Sequence, residues 1–203
     1  AGAARDVLIG NRVLPMGVTT LVRDGETVIV RGARGGQYSY LSVEGGLRPN
    51  AAGAGGVEAR PRRMIHASDP RSWILQPGDV IALAAASPAP AERRLRLTAY
   101  SSAPIRVVLG PQLDYFSAEA VARFLATDWI VSHASNRMAY VLEGGRVALA
   151  KGHNIVSDGT VNGNIQIAGS GQPLVILSDR GTVGGYPKVA TVISADLGRF
   201  AQT

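Results

Sequence analysis

Residues 163–188, GNIQIAGSGQPLVILSDRGTVGGYPK, hold two short strand-like runs, 164–167 and the wholly apolar 174–177, each followed by a glycine-containing turn. Runs of this length between turn residues read as strands rather than helices. The same pattern extends outward to residues 105–109, 129–132, 137–142 and 189–193. In the first half it covers residues 18–22, 27–31, 37–43 and 94–100, punctuated by Asp24-Gly25, Gly35-Gly36 and Gly45-Gly46. Trp73-Ile74-Leu75 and residues 80–83 flank the turn Pro77-Gly78-Asp79. One segment reads as a helix: Ser117 can cap it, Glu119 and Arg123 stand at i, i+4, and Val121, Phe124 and Leu125 share an apolar face. A second short helix is expected after Ser194, with Leu197 and Phe200 on one side. Residues 47–63 lack periodicity and read as a long loop, and the low-complexity 84–92 (AAASPAPAE) as a linker. The expectation is a mainly β chain of closed barrels with one or two short helices. An echo between residues 25–29 and 171–175 supports a duplicated barrel, with modules at 1–91 and 92–203.

Composition agrees. Hydrophobic residues make up 46% of the 203 but aromatics only 5%, so the core must be Val, Ile, Leu and Ala. With 25 Gly, 11 Pro and 18% charged residues, the chain suits turn-rich β structure better than a helical bundle. The net charge is +6, with 13 basic and 8 acidic residues in 1–104 against 8 and 7 in 105–203. The excess includes Arg60, Arg62, Arg63, Arg71, Arg93, Arg94 and Arg96, without interleaved aromatics or a nucleic-acid motif. An acidic small molecule or protein surface therefore fits better than nucleic acid. The absence of Cys excludes disulfides and thiolate chemistry, and His66, His133 and His153 lack ligand spacing, so no metal site is expected. The longest apolar run, 80–86, is far short of the ~18 residues that span a bilayer. With no signal-peptide pattern, the expected location is cytoplasmic.

No G-x-x-x-x-G-K-[ST], G-x-S-x-G or H-E-x-x-H pattern is present. Chemistry must come from the polar set around residues 163–188. Arg180 and Arg137 can each grip a carboxylate or carbamate bidentately. Gln166 can orient an amide or ureido group. The turn Gly184-Gly185-Tyr186-Pro187 can offer backbone N–H groups to a developing oxyanion. Lys188 can neutralise an anion or, if desolvated, act as a base. The same residues also fit an ordinary hairpin, with Asp179–Arg180 a turn ion pair and Tyr186 a barrel-closing aromatic.

An ordered series of short motifs adds a resemblance: Gly110-Pro111-Gln112, Ser135-Asn136-Arg137-Met138, Leu142-Glu143-Gly144, Ile165-Gln166, Gly171-Gln172-Pro173, Asp179-Arg180, Thr182, and Gly184-Gly185-Tyr186-Pro187-Lys188, with Asp196 and Ala201-Gln202. In order and spacing these resemble the carboxyltransferase family found as subunit 2 of allophanate hydrolases, as the C component of ATP-dependent 5-oxoprolinase, and in urea carboxylase. The first half matches through residues 25–30 and 40–46. The resemblance implies tandem cyclophilin-like β-barrel modules, the first N-terminally incomplete. It also implies a cytoplasmic enzyme component acting on small amide, lactam or urea-type substrates. Its partner would be of related fold, like allophanate hydrolase subunit 1 or the B component of 5-oxoprolinase. ATP on the complex, or carboxybiotin from a separate carrier, would be the cofactor. Arg180, Tyr186 and Lys188 would be catalytic, and Gln112, Asn136, Arg137, Gln166, Asp179, Thr182, Gly184 and Gly185 would bind substrate. The family's G-S-R-S-T-like segment is replaced here by Asn50-Ala51-Ala52-Gly53-Ala54-Gly55-Gly56, and its R-M-G-Y-R by Arg137-Met138-Ala139-Tyr140-Val141. The alternative is a regulatory protein that antagonises a kinase inhibitor through protein–protein contact.

Overall fold

Strand pairing organises the protein into two units, Ala1–Ser101 with Ala201–Thr203, and Ser102–Phe200, in a computed structural model that describes residues 2–48, 82–83, 93–96 and 101–203. Residues 49–63 of the expected loop, Trp73-Ile74-Leu75, the turn at 77–79, the 84–92 linker and the 91/92 boundary lie outside the described residues.

In the first unit, β1 (Gly2–Ile9) lies between β2 (Arg12–Leu14) and β3 (Val28–Ser39) in an antiparallel sheet. The expected strands at 27–31 and 37–43 merge into one that ends at Ser39, leaving 40–43 outside any strand, because Gly35-Gly36 continues the ladder instead of ending it. Gly36 adopts φ +78°, a left-handed conformation that glycine reaches without steric cost. The β1–β3 register shifts three times between Gly2 and Val7. Arg5 spans the irregular stretch: Nε donates to Ser39 Oγ (2.8 Å), Nη1 to the Arg31 carbonyl (3.2 Å) and Nη2 to the Gln37 carbonyl (3.3 Å). Gln202 completes the edge of β3. Its Oε1 accepts the N–H groups of Gln37 and Tyr38 at 2.9 and 3.0 Å, and its Nε2 donates to the Tyr38 carbonyl at 2.9 Å. Residues 18–22 do not form the expected strand; they make one bridge, Val18 to Arg94, and leave Leu21 and Val22 exposed. A short pair, β4 (Leu47–Arg48) with β5 (Ala82–Leu83), completes the described strands of this unit.

The second unit is built on β6 (Val107–Leu109), β7 (Ile130–Val131), β8 (Ala139–Glu143), β10 (Asn164–Ile167), β11 (Pro173–Ile176) and β13 (Lys188–Val192). They form an antiparallel sheet in the order β6-β13-β10-β11-β8-β7. The central strands are covered on both faces, with Ile167, Val175 and Val189 all 0% exposed and the polar Asn164, Gln166 and Lys188 buried among them. A separate ribbon pairs β9 (Asp158–Gly159) with β12 (Val183–Gly184). Helix α1 (Ala118–Ala126) starts at Ser117, whose hydroxyl accepts the Ala120 N–H at 3.2 Å. It buries Ala120 and Phe124, while Leu125, expected on the same face, is 54% exposed. Helix α2 (Ser194–Phe200) stacks Phe200 on Tyr140, with ring centroids 5.5 Å apart.

Asp196 joins α2 to the start of β6. It accepts the Arg106 N–H and Nε at 2.9 and 3.0 Å and Nη2 at 2.8 Å, and Arg199 Nη2 lies 3.1 Å away. The Arg106 side-chain hydrogen bonds, then its backbone N–H, hold this carboxyl far below the usual carboxylate range. A depressed folded-state pKa contributes stability above the unfolded value of about 4 and loses it as pH falls towards the folded one. Asp196→Asn is therefore expected to lower Tm at neutral pH, with a deficit that is constant above about pH 5 and shrinks below about pH 4. Thermal unfolding across that range checks it; a deficit independent of pH would remove the ion pair from the account.

Candidate functional site

Register across β10 and β13 sets Gln166 opposite Lys188, just after an irregularity at Ile165. Directly opposed residues on neighbouring antiparallel strands share a sheet face. Both are buried, Gln166 at 5% and Lys188 at 3% exposure. The Lys188 ammonium donates to Asp158 Oδ2 at 2.6 Å, and the Gly159 N–H donates to Asp158 Oδ1 at 2.7 Å. The Asp158 side chain is 54% exposed, so the pair has its cation inside and its anion at the rim. The hydrogen bond from Lys188, then the Gly159 N–H, holds the Asp158 carboxyl below the usual range, with a smaller contribution from Gln112. Gln112 Oε1 also accepts the Lys188 backbone N–H at 3.2 Å. A Cβ on Gly110 would overlap the Lys188 carbonyl oxygen, so the Gly110-Pro111-Gln112 segment lies directly on the β13 backbone.

Gly184 faces Asp158 in the β9–β12 pair. A Cβ there would collide with Gln166 Nε2 and come within 3.1 Å of Thr160 Cγ2. Its φ is not positive, so glycine is needed for room rather than for backbone conformation. Gln166 Nε2 is buried and has no hydrogen-bond partner among the described residues. An amide nitrogen kept from water without an acceptor costs free energy, and a ligand oxygen would remove that cost. Beside it, Asp158 takes one of the three N–H donors that a lysine ammonium carries.

The other expected site residues are placed differently. Arg137 Nε pairs with Asp179 Oδ2 at 2.9 Å, so each occupies the other. Arg180 donates from Nε to the Thr160 carbonyl (3.1 Å) and from Nη1 to Asn162 Oδ1 (2.8 Å), fixing the segment after β9. The Thr160 hydroxyl donates to the Gly181 carbonyl at 2.6 Å and its N–H to the Thr182 carbonyl at 3.0 Å. Asn136 Oδ1 accepts the Met138 and Ala139 N–H groups at 2.8 and 3.3 Å, shaping the turn into β8. Gly185 accepts the Ile155 N–H through its carbonyl at 2.9 Å, and Tyr186 is 36% exposed. Gln112, Gln166, Gly184 and Lys188 thus come together, joined by Asp158 and Thr160, which sequence reasoning missed. Asp158-Gly159 resembles any Asp-Gly turn, and its partner is 30 residues away. Among the described residues, no three His, Asp or Glu side chains gather as a metal site. No helix among them is long and apolar enough to cross a membrane.

The carboxyltransferase domain, subdomain A and B, matches residues 1–203, and the chain belongs to this family. It is 26% identical to the C component of 5-oxoprolinase from Escherichia coli K12 over 99% of its own length and 64% of that protein. It is 31% identical to the Haemophilus influenzae protein of the same name over 89% of its length and 57% of that protein. The chain therefore spans about three-fifths of these relatives. The crystal structure of TTHA0988 superposes with a TM-score of 0.76 at 30% identity, covering 100% of this chain and 39% of that one. The urea amidolyase of K. lactis shares the fold, with a TM-score of 0.76 at 22% identity over 100% of this chain and 13% of that one.

The two neighbouring glycines give a paired test. Gly184→Ala must displace the Gln166 amide and is expected to destabilise by about 1–3 kcal/mol. At Gly185 the nearest atom to an added Cβ is the Ile155 carbonyl oxygen at 3.8 Å, so Gly185→Ala is expected within about 0.5 kcal/mol of wild type. Urea denaturation of both variants decides it, and equal losses would deny Gln166 its place against Gly184.

Proposed function

We propose that this member of the carboxyltransferase-domain family serves in a cytoplasmic enzyme complex acting on small amide, lactam or urea-type substrates, as the 5-oxoprolinase name of its relatives suggests. One observation carries the reading: the unpartnered, buried Gln166 amide beside the buried Lys188 ammonium. An amide or lactam carbonyl oxygen accepts hydrogen bonds from both groups. Donors already in place stabilise the negative charge that grows on that oxygen when a nucleophile adds to the carbonyl carbon. Asp158 holds the Lys188 Nζ through a 2.6 Å contact, Gln112 holds the Lys188 backbone, and Arg180 holds Thr160 beside Gly184.

The sequence has no G-x-x-x-x-G-K-[ST] phosphate-binding loop, so ATP would bind on the complex without one in this reading. Carboxybiotin fits the Gln166 and Lys188 donors through its ureido carbonyl, and would supply the carboxyl group in a transfer reaction. The expected partner is a protein of related fold, like the B component of 5-oxoprolinase or allophanate hydrolase subunit 1.

Co-expression with such a partner tests the reading. The complex should hydrolyse ATP in the presence of 5-oxoproline or accept carboxyl groups from carboxybiotin. Gln166→Leu and Lys188→Met should each lower kcat by about 10²-fold, the usual effect of removing one oxyanion donor. Unchanged turnover in both variants would demote the two residues to structural roles. A stable complex inactive in both assays would favour the regulatory alternative.

A further inference from the structure

The chain contains 19 arginines and only two lysines, Lys151 and Lys188. Lys151 is a surface residue, 59% exposed and paired with Asp114. Lys188 is the buried one, held by an aspartate that no local sequence pattern singles out. We propose that Asp158 is a positioning and specificity-determining residue: by pairing with Lys188 it offsets the charge of that ammonium, so that the seat beside Gln166 takes an uncharged carbonyl group in preference to a carboxylate. The inference rests on Lys188 and Gln166 binding the ligand, and it adds the ligand's charge class and the residue that sets it.

Three observations support it. The ion pair is asymmetric, with the Lys188 side chain 3% and the Asp158 side chain 54% exposed, so a ligand arriving from solvent meets the anion first. A carboxylate ligand there would face Asp158 at close range, and like charges side by side discriminate strongly between partners. Secondly, the Arg137 charge is paired with Asp179, and Arg180 directs Nε to the Thr160 carbonyl and Nη1 to Asn162 Oδ1. Thirdly, the buried side-chain nitrogen with no hydrogen bond among the described residues is the neutral Gln166 amide, which is complemented by a carbonyl oxygen carrying no formal charge. A lactam, amide or ureido oxygen meets all three conditions.

Asp158 acts through Lys188, so its test must read charge preference and not only loss of function. With two lysines in the chain, ammonium NMR gives one signal for Lys188 and one for Lys151 as an internal reference. The full chain is titrated with 2-pyrrolidone, a neutral lactam, and with acetate. In wild type the Lys188 signal should shift with the lactam at concentrations where acetate leaves it in place. Asp158→Asn keeps the shape of the side chain and removes its charge; it should move the lactam-to-acetate affinity ratio at least about tenfold towards acetate. Lys188→Met places an apolar chain of similar length at a buried position and leaves an exposed carboxylate behind, so it should fold even if Asp158→Asn does not. Followed on the Gln166 side-chain amide signal, it should weaken lactam binding and show no acetate binding. An unchanged ratio in Asp158→Asn, wild-type lactam affinity in Lys188→Met, or a wild-type Lys188 signal that ignores the lactam or prefers acetate overturns the proposal. These titrations need no partner protein. An inactive complex with an intact charge switch would overturn the enzymatic reading alone, and an active complex with an unchanged ratio would overturn this inference alone.

Discussion

An ammonium group almost wholly removed from water on the first residue of β13 constrains the architecture of the second unit. Removing such an ion from water costs several kcal/mol, and only close partners in good geometry offset it. Asp158 supplies the charge, and for that β9 must lie within side-chain reach of Lys188. β9 is two residues long and is held by pairing with β12, so β12 must lie there too. Residue 184 on β12 then presses against Gln166 and has no room for a Cβ. Arg180 and the Thr160 hydroxyl fasten the next segment to the loop before β12. A ribbon too short to persist alone is thus stitched to the sheet by side chains, and the stitching fixes the polar groups of the candidate site.

Cations in this chain divide their work by chemistry. Arg5 bridges three acceptors along an irregular strand pair, and Arg106 ties an aspartate on α2 to β6. Arg180 gathers a carbonyl and an amide oxygen, and Arg199 reaches the Pro104 carbonyl and Asp196. A planar fork of donors suits these tasks, because it meets several oxygens at once with little loss of side-chain freedom. Lys188 is asked for something different: a compact charge in a tight space, with donors left over once its counterion is satisfied. Arginine at that position would bring five donors and a larger plane to a place where one added methyl on Gly184 already collides.

Sequence reading was strongest where local pattern and tertiary demand agree. Residues 164–167 form β10 as expected, and Ser117 caps α1 because an N-cap is a purely local device. Reading failed where the deciding contact is distant. Gly35-Gly36 carries every local mark of a turn, yet β1 pairs across it and draws it into a long strand. Residues 18–22 have strand composition, but among the described residues they make one bridge, Val18 to Arg94, and one backbone hydrogen bond from Thr19 to Arg93. At the site, the density of polar residues in 163–188 was visible, but which of them converge was not. Arg137 and Arg180 are the more eye-catching cations, and both are engaged by neighbours that only the fold brings near. Asp158 was invisible for the converse reason, since an Asp-Gly pair is ordinary until a buried lysine arrives from 30 residues away.

The Gln166 amide gives the arrangement its direction. A buried N–H left without an acceptor costs about 1–3 kcal/mol in the empty protein, and that cost is relieved when an acceptor enters. The neighbouring Lys188 has its charge paired by Asp158, which accepts one of its N–H donors. The Lys188 charge is therefore paired while the Gln166 amide lacks an acceptor, and the seat favours ligands that bring an oxygen without bringing a charge. Gly184 serves the same end, since a side chain there would push the amide out of the position in which it waits. Stability and recognition are in tension at this one nitrogen. An internal acceptor at that point would steady the fold and, by the same contact, fill the place left for a ligand.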